Sequence, residues 1–217
     1  MDDRCDEISQ CQDESDEYRC DNIIIDEDKY RQEYVPLSRN KENPLQNSNC
    51  DVEVSIDLYM LNNFEEIDLS YRAKFLLTLK WFDSRLTFAN LKNDTFKNLV
   101  GKAKKEMLWI PTLMFNNTRE HSMLSIYRDE NEPIVNIFVE KSGNKNILPP
   151  SSSLDETYTY RGLENRLVLR TEYSLTFDCQ YELHYYPFDT QICNMAVSIF
   201  TLPTSSSSRH AHNGIWV

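Results

Sequence analysis

Residues Cys179 to Cys193, CQYELHYYPFDTQIC, constrain the chain most: two cysteines enclose thirteen residues, and the loop between them carries an aromatic-Pro-x-Asp turn at Tyr186, Pro187, Phe188 and Asp189. A disulfide closing a loop of about 15 residues contributes roughly 3 kcal/mol by restricting the unfolded chain. Such a bond persists in an oxidising compartment, which predicts an extracellular setting. Proline fixes φ inside that small ring. The expected result is a rigid, stapled tip suited to pressing on a neighbouring element.

The rest of the chain reads as short strands. Val52, Val54, Ile56 and Leu58 alternate with Glu53, Ser55 and Asp57, and Leu167, Leu169, Thr171, Tyr173, Leu175 and Phe177 alternate with Val168, Arg170, Glu172, Ser174 and Thr176. A period of two is that of a strand buried on one face. Between them lie KFLLTLKWF, MLSIYR and PIVNIFVEK, each bounded by polar or Pro/Gly-containing turns. Many short strands predict an all-β, immunoglobulin-like sandwich, and 217 residues suffice for one domain plus a small appendage.

Function classes fall away on similar grounds. A net charge of -12 disfavours nucleic acid, which selects basic surfaces. The only closely spaced histidines, His210 and His212, lie in a Ser-rich tail without a third metal ligand nearby. No Gly-x-Ser-x-Gly nucleophile turn occurs among four glycines, so the chain is read as a binding domain and not an enzyme. No run of about 18 apolar residues is present to span a membrane, and the acidic start MDDRCDEISQ lacks an export signal. A chain with extracellular chemistry and no such signal is expected to be a fragment of a longer one.

These features resemble the extracellular ligand-binding domain of the Cys-loop pentameric ligand-gated ion channels. The cysteine spacing matches with Leu183, Tyr186, Pro187 and Asp189 in place, although Tyr181 stands where the family has an aliphatic residue, Met or Gln. Trp81-Phe82-Asp83-Ser84-Arg85-Leu86 fits the family's Trp-x-Asp-x-Arg-Leu strand. Trp109-Ile110-Pro111 with Asn117 fits its Trp-x-Pro segment ending in Asn, with Thr112 in place of the usual Asp. The resemblance covers roughly Leu45 to Leu202. It implies aromatic boxes for a charged amine at subunit interfaces, a cation-π arrangement, in a pentamer of homologous subunits that binds a small-molecule neurotransmitter.

Position by position, the resemblance places Phe200 at loop B and Asn116 at loop A of the principal face. It places Leu76 at loop D and Arg170 and Glu172 on the loop E strand of the complementary face. A carboxylate at Glu172 would repel an acidic ligand and favour an amine. Trp81 and Trp109 are read as core anchors. Tyr186, Pro187, Phe188 and Asp189 form the implied gating loop, and Cys179–Cys193 the implied disulfide. Loop C and four membrane helices would follow Phe200; instead, residues 203–217 form a divergent Ser-rich tail. The alternative to a channel subunit at the plasma membrane is a secreted pentameric binding protein without a pore.

The amino end, residues 1–20, places acidic side chains between Cys5, Cys11 and Cys20 and ends CQDESDEYRC. Oxygen ligands on a disulfide frame too small for a core suit calcium. The stretch is similar to the second half of an LDL-receptor class A repeat. That likeness implies Asp6, Asp16 and Glu17 as side-chain calcium ligands and a Cys5–Cys20 bond, with Gln10 replacing a fourth carboxylate. Cys11 and Cys50 are left without assigned partners, and a bond between them stays open. Residues 21–44 read as a linker with a short helix around Glu27 to Tyr34. Asn93 in Asn-Asp-Thr and Asn116 in Asn-Asn-Thr are glycosylation sequons, of which Asn93 is the better acceptor.

Overall fold

Alternation along the chain becomes burial in the computed structural model, which describes residues 22–36, 50–119, 135–142, 146–147, 158–185, 188–200 and 210–216. The strands are β1 (Ile23–Ile24), β2 (Val52–Glu65), β3 (Ser70–Trp81), β4 (Thr87–Ala89), β5 (Thr112–Phe115), β6 (Asn136–Glu140), β7 (Asn146–Ile147), β8 (Tyr158–Arg161), β9 (Arg166–Asp178), β10 (Asn194–Phe200) and β11 (His210–Trp216). Two short helical turns interrupt them, a 3-10 turn over Thr95–Lys97 and α1 over Lys102–Lys105.

Three sheets result, ordered β2-β3-β9-β6, β11-β10-β5 and β1-β4-β8-β7. The spine is the β3–β9 ladder, which runs without a break from Ser70↔Asp178 to Trp81↔Leu167. Its inward set, Tyr71, Ala73, Phe75, Leu77, Leu79 and Trp81 on β3 with Leu167, Leu169, Thr171, Tyr173, Leu175 and Phe177 on β9, is buried throughout. A one-residue slip would turn all of these apolar groups to water, so the pattern fixes the register.

The face so formed packs on β5 of the three-stranded sheet. The Phe115 ring meets Phe75 at 5.4 Å, Tyr173 at 5.8 Å and Phe177 at 5.7 Å, all edge-on, the geometry that aromatic quadrupoles prefer. At the other end Trp81 meets Trp109 edge-on at 6.4 Å. Both tryptophans are core residues, as expected. The expected all-β sandwich is therefore found, and PIVNIFVEK supplies β6. MLSIYR and the whole amino-terminal module, with Cys5, Asp6, Cys11, Asp16, Glu17 and Cys20, lie outside the described residues.

Two expectations are corrected. Residues 22–36 are not a linker: Ile23 and Ile24 pair with Phe88 and Thr87, and Ile23, Ile25 and Tyr30 are buried in the core. Two separate turns, with Asp26 C=O accepting from Lys29 and Tyr30 N–H and Arg31 C=O from Tyr34 N–H, take the place of the expected helix. The segment's polar average conceals three apolar anchors spaced to reach the sandwich. Nor is the carboxyl tail wholly outside the fold, since β11 pairs antiparallel with β10 from Asn194↔Trp216 to Ile199↔His210. Strand β10 offers a free edge there, and a paired edge satisfies its backbone groups. Cys50 is a free, buried thiol, so it forms no bond to Cys11.

Candidate functional site

Asp83 shows how the Trp-x-Asp-x-Arg-Leu motif positions the regions around it. Its carboxylate is fully buried and accepts from the Arg85 backbone N–H at 3.0 Å, from Arg85 Nε at 2.8 Å and Nη2 at 2.6 Å, and from the Tyr30 hydroxyl at 3.1 Å. A buried charge is tolerable only with such saturation. Arg85 in turn donates to the carbonyls of Arg31 and Tyr34. The Tyr30 oxygen accepts the Trp109 N–H at 2.9 Å. One carboxylate thus ties the amino-terminal segment to the start of the Trp-x-Pro segment. Burial, reinforced by the Asp83 charge, drives the Tyr30 hydroxyl pKa well above its ordinary value.

From Trp109 the chain enters β5 and ends in Asn116 and Asn117. Asn117 is the joint between the sheets: its Nδ2 donates to Asp178 C=O at 3.2 Å and Asn194 C=O at 2.8 Å, and its Oδ1 accepts from Ala196 N–H at 2.9 Å. Asp178 and Asn194 are the residues immediately outside Cys179 and Cys193, so Asn117 grips both feet of the stapled loop. The disulfide is formed, with Cα atoms 5.3 Å apart.

Beyond the disulfide, Gln191 braces the loop by exchanging hydrogen bonds with the Glu182 backbone and donating to Asp189. Phe188 is 92% exposed; Tyr186 and Pro187 lie outside the described residues. The β2–β3 turn joins the same end, for Cys179 N–H donates to Leu69 C=O at 2.8 Å and the Tyr181 hydroxyl to Ser70 C=O at 2.7 Å. The departure at Tyr181 is therefore used as a hydrogen bond. Ile67 at that turn is 97% exposed. Arg119 ties this end down by pairing with Asp178 at 2.7 Å and donating to Asp68 C=O.

The residues expected to hold a ligand divide into two groups. Asn116 is exposed and donates through Nδ2 to Ser198 Oγ at 2.8 Å, and Phe200 stands in register with Thr112 on the neighbouring strand. The loop A and loop B positions thus share the three-stranded sheet, with Asn116 four positions along from the Thr112 partner of Phe200. On the four-stranded sheet Leu76 pairs in register with Glu172, and Thr78 with Arg170. Asn116, Leu76, Arg170 and Glu172 alternate with buried residues and so face outward.

Two further residues at the second group escaped the sequence reading. Tyr59 donates to Glu172 Oε1 at 2.7 Å. That bond to a carboxylate is the first cause of a hydroxyl pKa pushed up to about 12, with desolvation adding to it. Tyr59 continues the outward set of Glu53, Ser55 and Asp57, at the point where the β2 register shifts between Leu58 and Met60. The Arg170 guanidinium lies 5.0 Å above the Phe96 ring, and Phe96 packs edge-on against Phe138 at 5.5 Å. Only the aromatic in Asn-Asp-Thr-Phe could have hinted at it. The outer face therefore presents an exposed carboxylate two strand positions from a guanidinium already seated on an aromatic ring.

The profile of the neurotransmitter-gated ion-channel ligand binding domain matches residues 27–154. Over 164 residues the chain is 26% identical to pH-sensitive chloride channel 2 of Anopheles gambiae, covering 74% of this chain and 22% of that protein. It is 24% identical over 192 residues to acetylcholine receptor subunit delta of Xenopus laevis, covering 88% of this chain and 30% of that protein. Glycine receptor subunit beta of Rattus norvegicus is 23% identical over 154 residues, covering 71% of this chain and 26% of that protein. The chain spans less than a third of the length of these curated relatives.

Proposed function

This chain belongs to the neurotransmitter-gated ion-channel ligand-binding domain family, and we propose that its two exposed half-sites are completed only when one copy, or a homologous subunit, meets another in a pentamer. The carrying observation is that the two sheets pack back to back through Phe75 and Phe115. Asn116 on one sheet therefore points away from Leu76, Arg170 and Glu172 on the other. A ligand touching both groups must lie between two subunits.

The ligand class follows from charge. Glu172, oriented by Tyr59, supplies a fixed negative charge for an amine, while Arg170 is held over Phe96. We read the transmitter as a small cationic amine, and the whole receptor as a channel at the plasma membrane with this domain outside. Binding would shift the population between closed and open states, with the Tyr186–Asp189 loop and the Ile67 turn delivering the change to the membrane segments. At the amino end, the Cys/Asp/Glu spacing supports half of an LDL-receptor class A module in which Asp6, Asp16 and Glu17 hold calcium.

Titration of the chain, at concentrations where it self-associates, with a quaternary ammonium probe and with glutamate tests the ligand class. The expected result is preference for the ammonium ion and at least a tenfold loss of its affinity in Glu172→Gln, equivalent to about 1.4 kcal/mol. Equal binding of both probes, or an unchanged affinity in that variant, overturns the reading.

A further inference from the structure

We propose that Asn93 is the N-glycan acceptor of this chain and that the second sequon, Asn116, stays unmodified. Both carry the Asn-x-Thr pattern, so the pattern cannot choose between them. The structure separates them by what their side chains already do. Asn93 is exposed; its Oδ1 accepts from Lys141 Nζ at 2.9 Å, and among the described residues its Nδ2, the atom a glycan would occupy, donates to nothing. Asp94 caps the following turn by accepting the Phe96 N–H at 3.1 Å, which leaves the sequon on a protruding bend between buried Leu91 and buried Asn98. A sugar there enters water without disturbing a ladder.

Asn116 is the opposite case. Its Nδ2 is bonded to Ser198 Oγ, and its backbone N–H to Ala196 C=O at 2.8 Å. Asn117, the middle residue of that sequon, clamps three backbone groups, and the Thr118 hydroxyl donates to Thr176 C=O at 3.1 Å. Modification at Asn116 would break the Ser198 bond and set a bulky sugar on the outer face of the β5–β10 pair.

The step is a group transfer. Asn93 Nδ2 attacks C1 of an oligosaccharide carried on a polyprenyl diphosphate, the N–C1 bond forms as the C1–O bond breaks, the lipid diphosphate leaves, and one amide proton passes to a base of the host transferase. The inference needs the chain to be exported and does not rest on the ligand reading.

Its test is translation of all 217 residues behind a cleavable signal sequence in the presence of microsomes, with protection from added protease reporting import. Expected is a single glycosidase-sensitive mobility step that disappears in Asn93→Gln and Thr95→Ala, survives in Thr95→Ser, and is unaffected by Asn116→Gln. A protected chain that shows no step, a step lost in Asn116→Gln, or two steps in the unsubstituted chain each overturn it.

Discussion

Asp83 sets the residue scale, because its charge is fully buried and four donated hydrogen bonds make that burial possible. Removing one member of a buried pair leaves the other uncompensated, at a cost of about 3–5 kcal/mol. Against a total stability of about 5–15 kcal/mol, Asp83→Ala should lose about a fifth or more of it in urea unfolding; a loss below about 1 kcal/mol would show the network to be dispensable. Cys50 lies in the same region, and burial, with the Asp83 and Asp51 charges adding to it, pushes its thiol from 9.0 up to about 12. Since the folded value is the raised one, its contribution to stability is complete below 9.0 and fades as pH rises towards about 12. Accordingly iodoacetamide at mildly alkaline pH should alkylate Cys50 far more slowly in the native chain than in urea. Equal rates in both would mean that the thiol is open to solvent.

At the scale of elements, the β8–β9 turn depends on Gly162. A Cβ there would stand 1.9 Å from Asp83 O and 2.7 Å from Leu86 O, both backbone atoms that cannot swing aside, whereas one at Gly101 meets nothing within 4 Å. Gly162→Ala should therefore destabilise by at least the 1–3 kcal/mol typical of overpacking, and Gly101→Ala by little; equal midpoints in urea would refute the close approach. The elements that were legible in the sequence are those with unbroken alternation. β3 and β9 could be read from their period of two, and the Cys179–Cys193 loop from its spacing. Illegible were elements whose determinants lie far apart. Tyr30 reads as one aromatic in a polar stretch until it meets Asp83 53 positions later, and the partner of β11 is a strand edge that its own Ser-rich surroundings do not announce. Tyr59 was missed because, although it continues the outward set of β2, nothing in that strand announces its partner Glu172, 113 positions away. The candidate ligand positions came from motif likeness, and it took the sheet packing to divide them between two opposite faces.

At the scale of the whole molecule, the question is whether the sheet that carries the candidate ligand positions and the stapled loop move as one body. Asn116 and Asn117 are adjacent, yet one holds Ser198 on the candidate ligand face and the other holds the residues flanking Cys179 and Cys193. A displacement of Asn116 by a ligand at the proposed site would reach the base of the loop through a single peptide unit. A double-mutant cycle measures this link. Replacing Cys179 and Cys193 by Ser should cost about 3 kcal/mol from loop entropy alone, and Asn117→Ala about 1 kcal/mol or more because three hydrogen bonds to backbone groups, one of them half-buried, are lost. If Asn117 and the disulfide hold the same joint, the combined variant should depart from the sum of the two by about 0.5–3 kcal/mol, the range seen for residues in one network. With the disulfide gone, the feet of the loop are no longer pinned for Asn117 to grip, so the second loss should be the smaller. Additivity within about 0.5 kcal/mol, the behaviour of distant sites, would instead mean that the loop is anchored independently of the ligand face and that its movement must be driven through the β2–β3 turn at Leu69 and Ser70.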